Sequence, residues 1–311
     1  MTQDRILPGI LLMLGFCALA PLLDVSSKLA AQAGLPVGLI TFARFLVQGT
    51  MMALVVLAMQ LDLRMSRRAM AMIFLRAFFL VISTFSFVSA LKVMPIADAL
   101  AIAFVEPFIL LLLGHVIYGD AVGPRRITAC VIGFFGALLI IQPSLTLFGY
   151  MALWPLGTAF SFALYMLVTR TMSAMMHPVT MQFHTSWAGL VLCLPVLWIF
   201  RDGPVPDLAF IMPEGYGWLW LFGVGFWACL AHMCMTLAFG CAPSSMLAPL
   251  HYSELIVAVL LGYLIFDDLP NGLSFAGIAV ITGSGLYLIW RERLVARGAK
   301  AARKAALSPG G

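Results

Sequence analysis

Apolar residues along this chain gather into ten runs, at roughly 7–32, 36–60, 69–90, 96–118, 126–142, 149–170, 179–200, 216–238, 244–267 and 272–290, parted by short segments that collect Arg, Asp, Pro and Gly. About 20 apolar residues cross a hydrocarbon core as a helix, so the pattern predicts ten transmembrane helices. Little chain is left for a soluble domain. Composition agrees: 63% of residues are apolar and 10% charged, with a mean hydropathy of +1.05, whereas soluble domains average about half and a quarter. Arg5 before the run Ile6 to Ala20, with Ala18-Leu19-Ala20 behind it, has the outline of a secretory signal. The run continues through Asp24 and Lys28, and a first helix is the better reading.

Lys and Arg in the connections set the orientation, because they collect on the cytoplasmic side. With the N-terminus inside, that side takes Arg5, Arg64, Arg67, Arg68, Arg125, Arg126, Arg170 and the basic tail from Arg291 to Lys304, while the other side takes Lys92 and Arg201. Both chain ends are then expected in the cytoplasm. The net charge of +5 resides in anchors for anionic headgroups, not in a nucleic-acid arm. Trp154, Trp198, Trp218, Trp220 and Trp290 fall near predicted helix ends, where an interfacial aromatic belt would lie. The six cysteines lie in or beside apolar helices as packing residues, and Cys229, His232 and Cys234 lack the fourth ligand that a closed metal site needs.

The chain repeats itself. Ala90, Pro95, Glu106, Gly114 and Asp120 return 148 positions later as Ala238, Pro243, Glu254, Gly262 and Asp268. Gly15, Lys28 and Pro36-Val37 return at a spacing of 142 as Gly157, Arg170 and Pro178-Val179. Near the end the register slips by one residue, as Gly136-Ala-Leu-Leu-Ile answers Gly285-Leu-Tyr-Leu-Ile. Each copy holds five predicted helices. Five is odd, so the second copy starts on the opposite face of the membrane, and the two copies are expected to be inverted about an axis in the membrane plane. The expected fold is an all-α integral membrane protein of two inverted five-helix repeats, 1–143 and 144–290, followed by a cytoplasmic tail, 291–311.

With these residues the chain resembles the EamA-type members of the drug/metabolite transporter superfamily. The likeness is carried by Phe-Ala-Arg44-Phe-Leu, by Ala90-Leu-Lys-Val-Met-Pro-Ile-Ala-Asp-Ala, by Glu106-Pro107 followed by Gly114 and Asp120, and by their second-half counterparts. Leu255 stands opposite Pro107, and Asp120 and Asp268 stand where the family usually has Glu. The resemblance implies a carrier of small metabolites in a bacterial inner membrane. It also implies a central cavity lined by helices 1 to 4 and 6 to 9, with helices 5 and 10 at the periphery.

Ionisable residues inside the predicted spans point to the site independently, since a charge at mid-bilayer is costly unless it faces a wet or paired interior. Glu106 and Glu254 each lie about 15 Å deep at 1.5 Å per residue. Each is either a carboxylate that takes a proton or a substrate ammonium, or a helix-packing hydrogen bonder. His251, one turn before Glu254, would extend a proton path. Arg44, about 12 Å below the outer surface, is the candidate for a substrate carboxylate or phosphate; its structural alternative is an ion pair with Asp24 or Asp98. Asp24 and Lys28 share a helix face and are expected to neutralise each other, with Asp24 also a proton-coupling candidate and Lys28 a substrate-binding one. Arg76 is expected to snorkel to the cytoplasmic face. His184 and His232 read as packed core residues, and Trp227 as a flat ring able to stack on cargo.

These features predict a secondary transporter of a small polar or zwitterionic metabolite, such as an amino acid or related carboxylate, working by alternating access. Its drive would be the proton gradient or exchange, because no GxxxxGK(S/T) phosphate loop is present. No cofactor is implied. An exporter of drugs or toxic metabolites with the same fold is the alternative. An intramembrane enzyme is disfavoured by the lack of an HExxH helix or a GxSxG elbow, and a passive channel or lipid-moving protein is the remaining class. The partners expected are a small-molecule substrate and the bilayer. Gly133-Phe-Phe-Gly136 and Gly283-Ser-Gly285 offer helix contacts within one chain or across a homodimer.

Overall fold

A computed structural model of the chain describes residues 6–119, 124–172, 175–201, 203, 205–241, 250, 253–284, 286–287 and 290. His251, Asp120, Pro243, Gly285 and the basic tail lie outside them. The described residues are helical between short connections, as a backbone without water partners must be. The helices are α1 (Ile6–Gln32), α2 (Val37–Ala58), α3 (Arg67–Leu91), α4 (Ile96–Ala103), α5 (Glu106–Tyr118), α6 (Pro124–Phe148), α7 (Trp154–Met172), α8 (Pro178–Ile199), α9 (Gly217–Cys241), α10 (Ser253–Phe266) and α11 (Gly272–Ser284). A 3-10 turn at Gly149–Leu153 joins α6 to α7. Seven helical stretches among the described residues are long and apolar enough to cross a membrane, and α10 and α11 are shorter. The chain is thus an all-helical, multi-pass membrane protein.

The fourth apolar run, expected as one unbroken span, is split in two. Pro107 has no N–H to give the carbonyl of Ala103, and its ring crowds that carbonyl, so α4 stops and α5 starts afresh. The joint is held by tighter bonds, from Val105 N–H to Ile102 O at 3.2 Å and from Phe108 N–H to Val105 O at 3.1 Å. The break leaves Glu106 as the first residue of α5. Glu254 likewise sits in the first turn of α10.

Burial departs from that of a soluble protein at both extremes. Leu54, Leu57, Val116, Ile199 and Ile256 are exposed, whereas Asp24, Lys28, Arg44, Gln48, Arg76, Asp98, Glu106 and Glu254 are buried. Of the tryptophans expected at the interface, Trp198, Trp218 and Trp290 are exposed; Trp154 turns inward, edge-on to Phe85, and Trp220 packs against a buried cluster. Helix pairs meet through small residues. A Cβ on Gly225 of α9 would stand 2.4 Å from Val47 Cβ and 3.0 Å from the Arg44 carbonyl of α2. Gly136 of α6 faces Gly277 of α11 in the same way, with a Cβ on Gly277 only 2.6 Å from the Gly136 carbonyl, so Gly136 is used within the chain.

Lys28 does not spend its charge on Asp24. Its ammonium pairs with the Asp268 carboxylate just beyond α10, donates to the Met94 carbonyl at 3.0 Å, and lies 4.7 Å from the centre of the Phe266 ring. An ammonium this deeply buried needs acceptors on several sides, and the neighbouring turn of its own helix supplies one carboxylate where three partners are available elsewhere.

Two outcomes follow from this packing. Gly225→Ala should destabilise the detergent-solubilised protein by about 1–3 kcal/mol, the usual cost of overpacking, read as a lowered thermal midpoint. Lys28→Gln should cost about 3 kcal/mol by stranding Asp268, and Lys28→Met with Asp268→Leu should recover most of it; a double variant no better than the single would show that the pair is not the tie.

Candidate functional site

At the centre of the bundle lies a cavity of about 140 Å³. Phe16, Ala20, Leu23 and Asp24 of α1, Arg44 of α2, and Leu80, Ser83, Thr84 and Phe87 of α3 form one part of its lining. Leu100, Ala103, Phe104 and Glu106 around the α4–α5 break, Thr158, Ala159 and Phe162 of α7, Ala231 and His232 of α9, and Glu254 of α10 complete it. Four of the sequence candidates, Asp24, Arg44, Glu106 and Glu254, therefore converge on one space. Among the described residues, α6 and α11 give nothing to the lining, and neither does α8, which the resemblance placed beside the cavity.

Among the described residues Arg44 is the one permanent cation of the lining. The close approach of α9 at Gly225 fixes its turn of α2, and its guanidinium donates to Thr84 Oγ1 of α3. Thr84 in turn donates to Leu80 O at 2.8 Å, which leaves its lone pairs free to accept. The other terminal nitrogen of Arg44 lies 2.8 Å from His232 Nε2. A guanidinium can only donate, so Nε2 must accept, and the neutral ring carries its proton on Nδ1. Phe16 meets this imidazole edge-on at a centroid distance of 6.5 Å and holds its plane. Neither Asp24 nor Asp98 pairs with Arg44 among the described residues. The chamber thus carries groups of both signs: the guanidinium and imidazole stand on α2 and α9, and the three carboxyl groups on α1, α5 and α10. Its net charge is set by how many of those carboxyls hold protons.

Two other sequence candidates, Lys28 and Trp227, lie elsewhere. Lys28 is bound to Asp268 outside the lining. Trp227 is half-buried against Phe226, at a centroid distance of 4.9 Å, and is not part of the chamber wall. His251 lies outside the described residues.

Two residues have a larger part than the sequence reading gave them. His232, read as core filler, holds Arg44; it is also the residue 148 positions after Thr84, so the two partners of Arg44 occupy equivalent places in the two copies. That equivalence was open to view in the sequence. Arg76, expected to snorkel, is buried, with its Nε donating to Thr169 Oγ1 at 2.8 Å and its terminal nitrogens to Tyr165, Thr185 and Gln182. Tyr165 and Thr169 are one turn apart on α7, and Gln182 and Thr185 one turn apart on α8, so two polar faces close around a cation that the first copy supplies.

Comparison with known proteins adds an independent line. A solved crystal structure superposes over 95% of this chain and 99% of its own length with a TM-score of 0.66 at 17% identity, a likeness of fold alone. A riboflavin transporter of Rhizobium johnstonii is 30% identical over 207 residues, 67% of this chain and 66% of its own length. An S-adenosylmethionine uptake transporter of Rickettsia felis is 23% identical over 70% of this chain and 71% of its own. A pseudopaline exporter of Pseudomonas aeruginosa is 25% identical over 81% of this chain and 85% of its own. The sequence pattern of one family fits the chain twice, at residues 7–142 and again at 149–291, which between them take in every lining residue of the chamber. The chain belongs to the EamA-like transporter family, a family of transporters and not of enzymes.

Proposed function

We propose that this protein is a secondary active transporter that carries a small polar or zwitterionic metabolite, an amino acid or related carboxylate, through the central chamber. The carrying observation is the mixed lining, in which Arg44 shares one space with Asp24, Glu106 and Glu254. A zwitterion complements both kinds of group: its carboxylate meets the guanidinium and its ammonium meets a carboxylate. Glu254, Glu106 and Asp24 are the proton-coupling groups, since a proton on any of them changes the charge the cargo meets. The membrane is the bacterial inner membrane, with both chain ends in the cytoplasm.

Alternating access is supported by paired contacts. α1 packs on α9 as α7 packs on α3. Lys28 lies 4.7 Å from the Phe266 ring, and Arg170, its repeat equivalent, lies 4.5 Å from Tyr118, the residue 148 positions before Phe266. Such correspondence is what two inverted five-helix units, 1–143 and 144–290, would produce, with ten spans counted as α4 and α5 together plus nine others. The rocking of one unit against the other would open the chamber to each face in turn. Gly283 of α11 has open space where a side chain would stand, with nothing within 4 Å, and so is free to meet a second copy in a homodimer.

A second reading has its own observation. Phe16, Phe87, Phe104 and Phe162 all line the chamber, and flat rings favour a planar cargo such as the riboflavin carried by one group of relatives. Export in place of uptake is the variant that the pseudopaline exporter suggests.

Uptake into proteoliposomes over a panel of amino acids, organic acids, riboflavin and S-adenosylmethionine tests both readings. Arg44→Gln should lower uptake of a carboxylate cargo by tenfold or more, about 1.4 kcal/mol of lost interaction at the least, with riboflavin flux hardly changed. If every solute is accumulated equally well by that variant, Arg44 does not hold cargo. Glu254→Gln should abolish accumulation driven by an imposed pH gradient and spare exchange between preloaded and external solute; an unaltered response to the gradient would remove Glu254 from coupling.

A further inference from the structure

One turn below the chamber, on the side where α3 begins, the wall residues Leu80 and Phe162 give way to Arg76 and Tyr165. The Arg76 guanidinium is 3% exposed, and its partners are all neutral: Thr169, Thr185, the Tyr165 hydroxyl and Gln182 Oε1 at 3.4 Å, with its Cζ 4.3 Å from the Tyr165 ring centre. Among the described residues no carboxylate stands within ion-pair distance of either Arg76 or Arg44. A permanent cation buried among neutral partners, as Arg76 is, is costly to hold, and the cost is offset once an anion reaches it.

Hydrogen-bond accounting points the same way. Among the described residues, Gln182 turns its oxygen to Arg76, which leaves its Nε2 amide buried with no acceptor; Arg44 Nε is buried with none; and the protonated Nδ1 of His232 has none. Arg76 lies two turns along α3 from Thr84, which accepts from Arg44, so these groups form one strip from the chamber downward. The strip has a surplus of donors, and its lower end holds a positive charge among neutral partners. We infer that Arg76 and Gln182 form a second anion-binding station below the chamber, which takes the carboxylate or phosphate of the cargo as it leaves Arg44. This rests on the transport reading above for its role, though not for its chemistry. The neutral cage holds Arg76 when no anion is present, since hydroxyl and amide partners are given up at far less cost than a carboxylate would be. The bonds run from α3 to α7 and α8, so parting those helices uncovers the guanidinium and the Gln182 amide together.

The test uses the full chain purified in detergent, with glutarate as the anionic probe and glutaramide as its neutral match at equal ionic strength. Glutarate at a hundredfold excess over its dissociation constant should raise the thermal midpoint by about 5 °C, and glutaramide should not. The Arg44→Gln protein should keep at least half of that rise. Adding Gln182→Glu, which sets a carboxylate of the same size against Arg76, should abolish it, and so should adding Arg76→Gln. If Arg44→Gln does not fold, Gln182→Glu in the otherwise native chain gives the reading: a rise cut by half or more supports the station, and an undiminished rise overturns it. No rise in the native protein, complete loss of the rise in Arg44→Gln alone, or a full rise in the doubly substituted protein also overturns it. A rise that depends on Arg76 and Gln182 in a protein that moves no solute of the panel would sink the transport reading and leave the station standing.

Discussion

A guanidinium in the middle of a membrane cannot face lipid, and much of this architecture follows from enclosing two of them. Water or protein must surround each charge, because hydrocarbon offers no acceptor and the desolvation cost is several kcal/mol per ion. Arg44 and Arg76 therefore draw α2, α3, α7, α8 and α9 around a polar interior, with the apolar outer faces left to the bilayer. Glycine makes the approach close enough. At Gly225 the absence of a side chain lets α9 press on the backbone of Arg44 itself, so the same contact that packs the bundle aims the cation into the chamber.

Pro107 contributes by subtraction. Removing one N–H from the middle of an apolar run ends α4 and sets Glu106 at the head of a new helix, next to Phe104 and Ala103 on the chamber wall. Glu254 reaches the same space with no proline after it, Leu255 standing in that place and buried in the core. Two copies of one pattern thus bring their glutamates to one space. A helix break also exposes backbone groups that only a wet or protein-lined site tolerates.

Much of this is legible in the order of residues alone. The apolar runs, the 148-residue echo from Pro95 to Asp120, and the ionisable residues inside the runs together indicate the class of protein and four of the groups that line the chamber. Contacts between distant turns are not legible. Nothing in the spacing of Asp24 and Lys28 says that the lysine will reach past its own helix to Asp268; an i, i+4 pair is a local rule, and a buried ammonium answers to whichever acceptors the tertiary packing brings. Arg76 misleads for a related reason. Snorkelling assumes a path to the interface, and Tyr165, Thr169, Gln182 and Thr185 offer acceptors nearer than water. Cargo is unreadable at this level because relatives named for riboflavin, S-adenosylmethionine and pseudopaline share one scaffold.

The central claim is that the polar chamber opens to water on each face of the membrane in turn and that cargo occupies it. A cysteine at Thr84, in a chain whose native cysteines are replaced, tests this most directly. Membrane-impermeant thiol reagents should label it from either side of sealed vesicles, and a transported solute should slow both rates. Labelling from one side only, or rates that no solute of the uptake panel alters, would contradict the account.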